Sequence, residues 1–197
     1  MTKHVFCTSA LILLAGAAGL LATTAAPAAP AARAAEGAYK VDPVHSSVVF
    51  RIRHGTSFFY GRFNQVSGSF DLNAADPAKS SLDISVKTES IDSNNSKRDQ
   101  HLKSQDFFSA TEFPAITFKG KEFKKSADNK WEVKGDLTLH GVTKPVTVAL
   151  EDTAAGAGGG LEAKFSIKRS DYGMGFMSDK GLGDEVTIMV GLEGGKK

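Results

Sequence analysis

Val133-Lys134-Gly135-Asp136-Leu137-Thr138-Leu139 sets apolar side chains at 133, 137 and 139 against Lys134, Asp136 and Thr138. Successive side chains of a strand point to opposite faces, so this pattern predicts a β-strand with one wet face and one apolar face. The same period returns along the chain. Val48, Phe50 and Ile52 alternate with Val49, Arg51 and Arg53, and Val66, Gly68, Phe70 and Leu72 with Ser67, Ser69 and Asp71. Leu82, Ile84 and Val86 alternate with Asp83, Ser85 and Lys87; Phe165 and Ile167 with Ser166 and Lys168; Val186, Ile188 and Val190 with Thr187 and Met189. Turn-forming residues separate the runs at 73–77, 126–129 and 141–145, and a Gly-rich link occupies 154–160. About eight strands at this spacing predict an all-β sandwich or closed antiparallel barrel.

One segment departs from the alternation. Residues 96–108 (SKRDQHLKSQDFF) predict one short helix leading into the pair Phe107-Phe108, with Phe113-Pro114 as its stop.

The N-terminus has a different character. Lys3 supplies a short positive start, residues 5–21 are almost wholly apolar, and Ala, Pro and Thr follow. This is the layout of a secretory signal peptide, and Ala32-Arg33-Ala34 predicts cleavage after Ala34. Ala26-Pro27-Ala28 is a weaker candidate. The alternative is a membrane anchor, but a run of roughly 17 residues is at the short limit for a bilayer span. Residues 1–34 are therefore expected to be a cleaved signal peptide and 35–197 a single domain that does not span a membrane. Cys7 is the sole cysteine, so no intramolecular disulfide can form, and it would leave with the signal.

Over the whole chain, 24 Lys and Arg face 22 Asp and Glu, a formal charge of +2. Without Lys3 and Arg33 the basic count falls by two to 22, so residues 35–197 are formally neutral. A nucleic-acid partner would call for a basic stripe, which this balance argues against.

Several motifs stand in a particular order. Asp42-Pro43-Val44-His45-Ser46 opens the domain, followed by Phe50 and His54, then Gly61-Arg62-Phe63 and Gly68. Arg98-Asp99-Gln100-His101-Leu102 leads to Phe107-Phe108 and Phe113-Pro114. Residues 135–145 (GDLTLHGVTKP) and 169–174 (RSDYGM) complete the set. Together they resemble the YceI-like polyisoprenoid-binding family across residues 38–193. Ser93 stands where that family more typically has Thr, and the Gly-rich link at 156–160 is long; neither touches the motifs. The resemblance implies a lipocalin-like eight-stranded antiparallel β-barrel, secreted to the periplasm, holding a long isoprenoid chain in an apolar tunnel. The expected ligand is a polyprenyl lipid or an isoprenoid quinone. No cofactor is implied, and oligomeric state, a homodimer included, stays open.

An eight-stranded barrel is just wide enough to fill with side chains or to hold one small ligand. Both readings suit a chain with 13 Phe and small residues at Gly61, Gly68, Gly120 and Gly135. Parity places Phe50, Ile52, Phe59, Phe63, Phe70, Leu82, Ile84, Val86, Ile116, Phe118, Trp131, Val133, Leu137, Leu139, Phe165 and Ile167 on the inward face. Phe107 and Phe108 are expected to line or close one mouth. A bulge reverses parity beyond it, and Gly61 and Asn64-Gln65 are the candidate sites. Arg98, His101 and Arg169 are the head-group candidates. Arg169 falls in phase with Phe165 and Ile167, and a buried guanidinium needs an acceptor. A ligand phosphate would serve, and so would Asp42, Asp99 or Asp171. For Arg98 and His101 the alternative is a helix-capping or packing network.

Catalysis has weaker support. The chain lacks a G-x-S-x-G elbow and a P-loop. Asp42, His45 and Ser46 contain the residue types of a triad, but a triad needs side chains converging from separate elements. His45, His54, His101 and His140 do not stand at zinc spacings. The expectation is therefore a binding protein, neither an enzyme nor a metalloprotein.

Overall fold

The computed structural model describes residues 37–196. The signal peptide expected at 1–34, with Cys7, lies outside the described residues. Eleven strands appear: β1 (Tyr39–Val41), β2 (Ser47–His54), β3 (Ser57–Phe63), β4 (Val66–Asp71), β5 (Ser81–Lys87), β6 (Ile91–Asp92), β7 (Ala115–Lys125), β8 (Lys130–Leu139), β9 (Val142–Asp152), β10 (Gly159–Lys168) and β11 (Leu182–Lys196). One α-helix, α1 (Ser96–Lys103), stands among them.

The strands close into a barrel of eight staves. β1 and β2 form one broken stave, because both pair with β11 on one side and with β4 and β3 on the other. β3 and β4 form the next, and β5 and β6 the third. β7, β8, β9, β10 and β11 follow in chain order, each antiparallel to its neighbour, and β11 returns to β1 and β2. Closure removes the free edges that an open sheet would present. The sequence expectation of an all-β, eight-stranded antiparallel barrel with one short helix is met.

The third stave ends early. β6 pairs with β3 only at Arg62–Asp92 and Phe63–Ile91. Helix α1 and the turn after it complete the wall above that point. Asn95 caps the helix, its side-chain oxygen accepting the Arg98 N–H at 3.0 Å. The helix is shorter than the sequence predicts: it stops at Lys103, where the Ser104 hydroxyl donates to the His101 carbonyl at 2.8 Å. Phe107 and Phe108 therefore stand on a turn.

The bulges also differ from expectation. Gly61 pairs in register with Phe50, and a Cβ there would come within 2.3 Å of the Phe50 ring. Its smallness makes room for that ring. Asn64-Gln65 separates β3 from β4. Two register shifts were not expected: one between Leu182 and Val186 of β11 against β2, and one between Gly120 and Glu122 of β7, which brings Phe123 opposite Val133 in the core. The turn expected over 141–145 is just His140-Gly141, both with positive φ, a two-residue hairpin.

One seam in the wall is short. β9 meets β10 only at Asp152–Leu161, Glu151–Glu162 and Leu150–Ala163. Past Leu150 the two strands no longer pair, and Pro145, which has no N–H to donate, lies within the parted stretch. The 3-10 turn Arg169–Tyr172 packs beside the gap, with Tyr172 2% exposed and Lys144 Nζ 3.7 Å from Asp171.

A cavity lined by every stave

The inward faces do not meet. They enclose a cavity of about 500 Å³, within the range of small-molecule sites. Every stave contributes: Val48, Phe50 and Ile52; Phe59 and Phe63; Leu82, Ile84 and Val86; Ile116 and Phe118; Leu137 and Leu139; Val148 and Leu150; Leu161, Ala163, Phe165 and Ile167; Val186, Ile188, Val190 and Leu192. Polar side chains are few on this wall: His54, Ser57, Arg98, His101, Thr117, Glu162 and Arg169. An interior of this kind recognises hydrocarbon by area, with little demand for hydrogen bonds.

One end is shut. Phe70 is fully buried and stacks on Tyr39 at 5.4 Å between ring centroids. Gly159 and Gly194 let the Tyr39 and Phe70 rings approach the β10–β11 backbone, where a Cβ would stand within 3.0 Å of them. Trp131 and Val133 are buried in the same cluster.

The other end is the mouth. It is bounded by the β2–β3 hairpin, by α1 with Phe107, and by the 173–182 segment with Met174, Met177 and Leu182. The hairpin and that segment are tied by the Gly55 N–H to Gly181 carbonyl bond at 2.8 Å. Phe107, His101 and Phe176 meet edge to face, with centroids 5.0 to 5.7 Å apart.

The chain and its fold have known relatives. The YceI-like domain profile matches residues 39–194. The chain belongs to the YceI-like family. Protein YceI of Shigella flexneri is 37% identical over 166 residues, which cover 79% of this chain and 85% of that protein. A UPF0312 protein of Yersinia enterocolitica is 39% identical over the same length and shares. Among solved structures, BcnA of Burkholderia cenocepacia superposes with a TM-score of 0.74 at 26% identity, covering 78% of this chain and 98% of that one. A polyisoprenoid-binding domain from Saccharophagus degradans, implicated in plant cell wall breakdown, shares the fold with a TM-score of 0.68 at 16% identity. That match covers 81% of this chain and 98% of that domain.

Within this YceI-like barrel, the residues expected on the inward face divide in two. Phe50, Ile52, Phe59, Phe63, Leu82, Ile84, Val86, Ile116, Phe118, Leu137, Leu139, Phe165 and Ile167 line the cavity, with Phe107 and Phe108 at its mouth. Phe70, Trp131 and Val133 do not. They also point inward, but where the wall tapers the rings meet and fill the space, so they plug the shut end. The sequence reading missed Val148, Leu150, Leu161 and the β11 row Val186, Ile188, Val190 and Leu192. The β11 alternation was visible and could have placed that row.

The three head-group candidates sit at or near the mouth with different commitments. Arg169 is 3% exposed and points inward as parity predicts. Its acceptors are backbone carbonyls, in place of the expected Asp42, Asp99 or Asp171. Nε donates to Gly183 at 2.8 Å, Nη1 to Met174 at 2.5 Å and Nη2 to Leu182 at 3.3 Å. Burial pushes its pKa below the ordinary value, and the Asp184 carboxylate works against that shift. Arg169 thus staples the 173–182 rim to the wall. Arg98 forms the packing network that was its alternative: Nε donates to the Ser93 hydroxyl at 2.9 Å and Nη2 to the Ser93 carbonyl at 2.6 Å. Asp99 accepts from the Ser93 amide at 2.8 Å, and the Arg98 guanidinium lies 4.4 Å from the Phe59 ring centroid. His101 Nε2 meets Asp106 at 2.8 Å. Arg98 and His101 remain solvent-facing, whereas Arg169 is enclosed.

The triad types do not converge. His45 Nδ1 meets Asp42 at 2.8 Å, but the Ser46 hydroxyl pairs with the Glu193 backbone, accepting its N–H at 3.0 Å. His140 Nδ1 meets the Tyr172 carbonyl at 3.1 Å. Among the described residues, no group of three His, Cys, Asp or Glu could hold a metal ion. No helix among them is long and apolar enough to cross a membrane.

Proposed function

We propose that the protein is secreted to the periplasm, where it holds a long-chain isoprenoid lipid in the barrel. The ligand is a polyprenyl lipid or an isoprenoid quinone, and the role is sequestration or transport across an aqueous space. The observation that carries this reading is the apolar cavity of about 500 Å³, shut at one end and open at the other. The fold shared with a polyisoprenoid-binding domain supports it.

The binding energy comes from area. Each buried CH₂ contributes about 0.8 kcal/mol, so a few isoprene units supply strong binding, offset in part by ordering the chain. The tail enters first, because the shut end offers only apolar surface. The head group then rests at the mouth beside Arg98 and His101. Arg169, enclosed and with three of its five N–H groups on backbone carbonyls, would add to head-group recognition only through its two remaining N–H groups.

The test is mass spectrometry of the protein purified from its own periplasm, once under native conditions and once after organic extraction. A stoichiometric prenyl species is expected. An apo mass, with no uptake of added polyprenyl lipid or quinone, overturns the reading.

A further inference from the structure

The domain carries its arginines in one half. Beyond residue 34 the chain has Arg51, Arg53, Arg62, Arg98 and Arg169, and its other strong cations are lysines. Arg98 and Arg169 border the cavity at its open end. Arg51 and Arg53 face outward on β2, just below the hairpin that forms one lip of the mouth. Arg62 stands lower on the outer face of β3.

The same lip exposes aromatic rings. Phe58 is 45% exposed and Tyr60 54%, both on the outer face of β3 opposite Arg53 and Arg51. Arg51 lies 4.1 Å and Arg53 5.4 Å from the Phe58 ring centroid. Across the opening, Phe176 is 38% exposed on the other rim and packs against Phe107. Outside this end, Val44, 81% exposed, is the one other exposed large apolar side chain among the described residues.

The cations of the lip are largely uncommitted. Arg51 has no hydrogen-bond or carboxylate partner among the described residues, and its Nε is buried against the ring without an acceptor. Arg53 uses Nε on the Gly55 carbonyl at 2.9 Å. Of the acids near the rim, Asp106 is held by His101, Asp184 accepts from the Ser170 amide and hydroxyl, Glu185 stands opposite Lys168, and Asp179 is next to Lys180.

Half-exposed aromatics beside cations suit one environment in particular. Tyr, with its polar edge, settles at the headgroup level of a bilayer, Phe buries at the headgroup–acyl boundary just beneath, and long cations keep their charge among the phosphates. Guanidinium is the better phosphate ligand of the two basic side chains, being planar, forked and weakly hydrated. A protein partner would also accept aromatic rings, but the choice of arginine over lysine, with unfilled donors, fits phosphate oxygens.

We propose that the mouth end is a bilayer-docking surface: Phe58, Tyr60 and Phe176 enter the headgroup region, while Arg51 and Arg53 bind lipid phosphates. The cavity then opens directly onto the membrane, and a prenyl chain can pass between the two without crossing water. The biological sense of this surface rests on the proposed lipid-holding function; its evidence is separate.

The test uses protein recovered from the periplasm and sedimented with vesicles of equal phosphatidylglycerol and phosphatidylcholine, or of phosphatidylcholine alone. The unaltered protein is expected to bind the anionic vesicles, less so at 1 M salt. Arg51→Gln with Arg53→Gln should weaken that binding about thirtyfold, at about 1 kcal/mol for each of two cations near an anionic surface. Phe58→Ser with Phe176→Ser should weaken it on both compositions. Phe58→Trp supplies a second reading, a blue-shifted emission on anionic vesicles, against the buried Trp131 present in every variant. Equal sedimentation of the unaltered and both double-variant proteins, or no vesicle binding at all, overturns the proposal. Uptake of a polyprenyl lipid from detergent is measured on the same samples. Uptake without vesicle binding sinks the docking surface alone, and vesicle binding without uptake sinks the carrier reading alone.

Discussion

Ala163→Phe separates an empty barrel from a filled one. Ala163 sits on the cavity wall in β10, opposite Leu150 on one side and Val190 on the other. The change adds a phenyl ring, six carbons, directed into a space of about 500 Å³. If that space is empty, the ring packs against Leu150 and Val190 and the unliganded protein keeps or gains melting temperature. If the interior were filled, overpacking would cost about 1–3 kcal/mol. Binding should move the other way. Six displaced ligand carbons at about 0.8 kcal/mol each set an upper bound near 5 kcal/mol. The flexible chain can bend around the ring and touch it, so about half, roughly 2–3 kcal/mol, is the expected loss. That is on the order of a hundredfold in affinity. The assay pairs thermal unfolding of delipidated protein with titration of a fluorescent polyprenyl analogue. A destabilised variant with unchanged affinity would refute the reasoning, because the ring would then have met protein and the ligand would bind elsewhere.

Three further outcomes follow from the geometry. Arg169→Met should cost about 3 kcal/mol in chemical denaturation, since it strands the carbonyls of Gly183, Met174 and Leu182; Arg169→Lys should recover only part, and a loss under 1 kcal/mol for Met would remove the stapling role. Arg98→Gln should weaken a polyprenyl phosphate about tenfold while leaving the uncharged alcohol unchanged, as read by competitive titration; equal loss on both would place the head group elsewhere. His45 should titrate above its ordinary 6.5 by NMR, raised first by its hydrogen bond to Asp42 and then by that carboxylate's charge. The protonated pair stabilises the fold below the unfolded imidazole's value, and its contribution fades as pH rises through the folded one. Asp42→Asn should lower the midpoint, and an unchanged midpoint would exclude the pair.

The limits of sequence reading show in particular residues. Arg169 was placed inward by parity alone, and it is inward. Its partners could not be named, because carbonyls are the same at every position and only folding brings Gly183 and Leu182 to its side. The bulge after Gly120 was missed because β7 turns polar at Lys119, Lys121 and Glu122, which hides the change of phase. Phe70 and Trp131 share the parity of the cavity wall and yet plug its end, since height along the barrel leaves no mark on alternation.

What the amino-acid order determined by itself was local: which runs alternate as strands, which face of each is apolar, and that a short helix begins at Ser96. Side-chain direction in a strand and the satisfaction of a helix terminus depend on a few neighbouring residues, so they can be read in one dimension. Tertiary structure decided the rest. Whether eight amphipathic staves close, which end the rings fill, and how much space remains between them depend on volumes summed from residues far apart in the chain. The same summation placed the uncommitted arginines beside exposed aromatic rings at the one end that stays open.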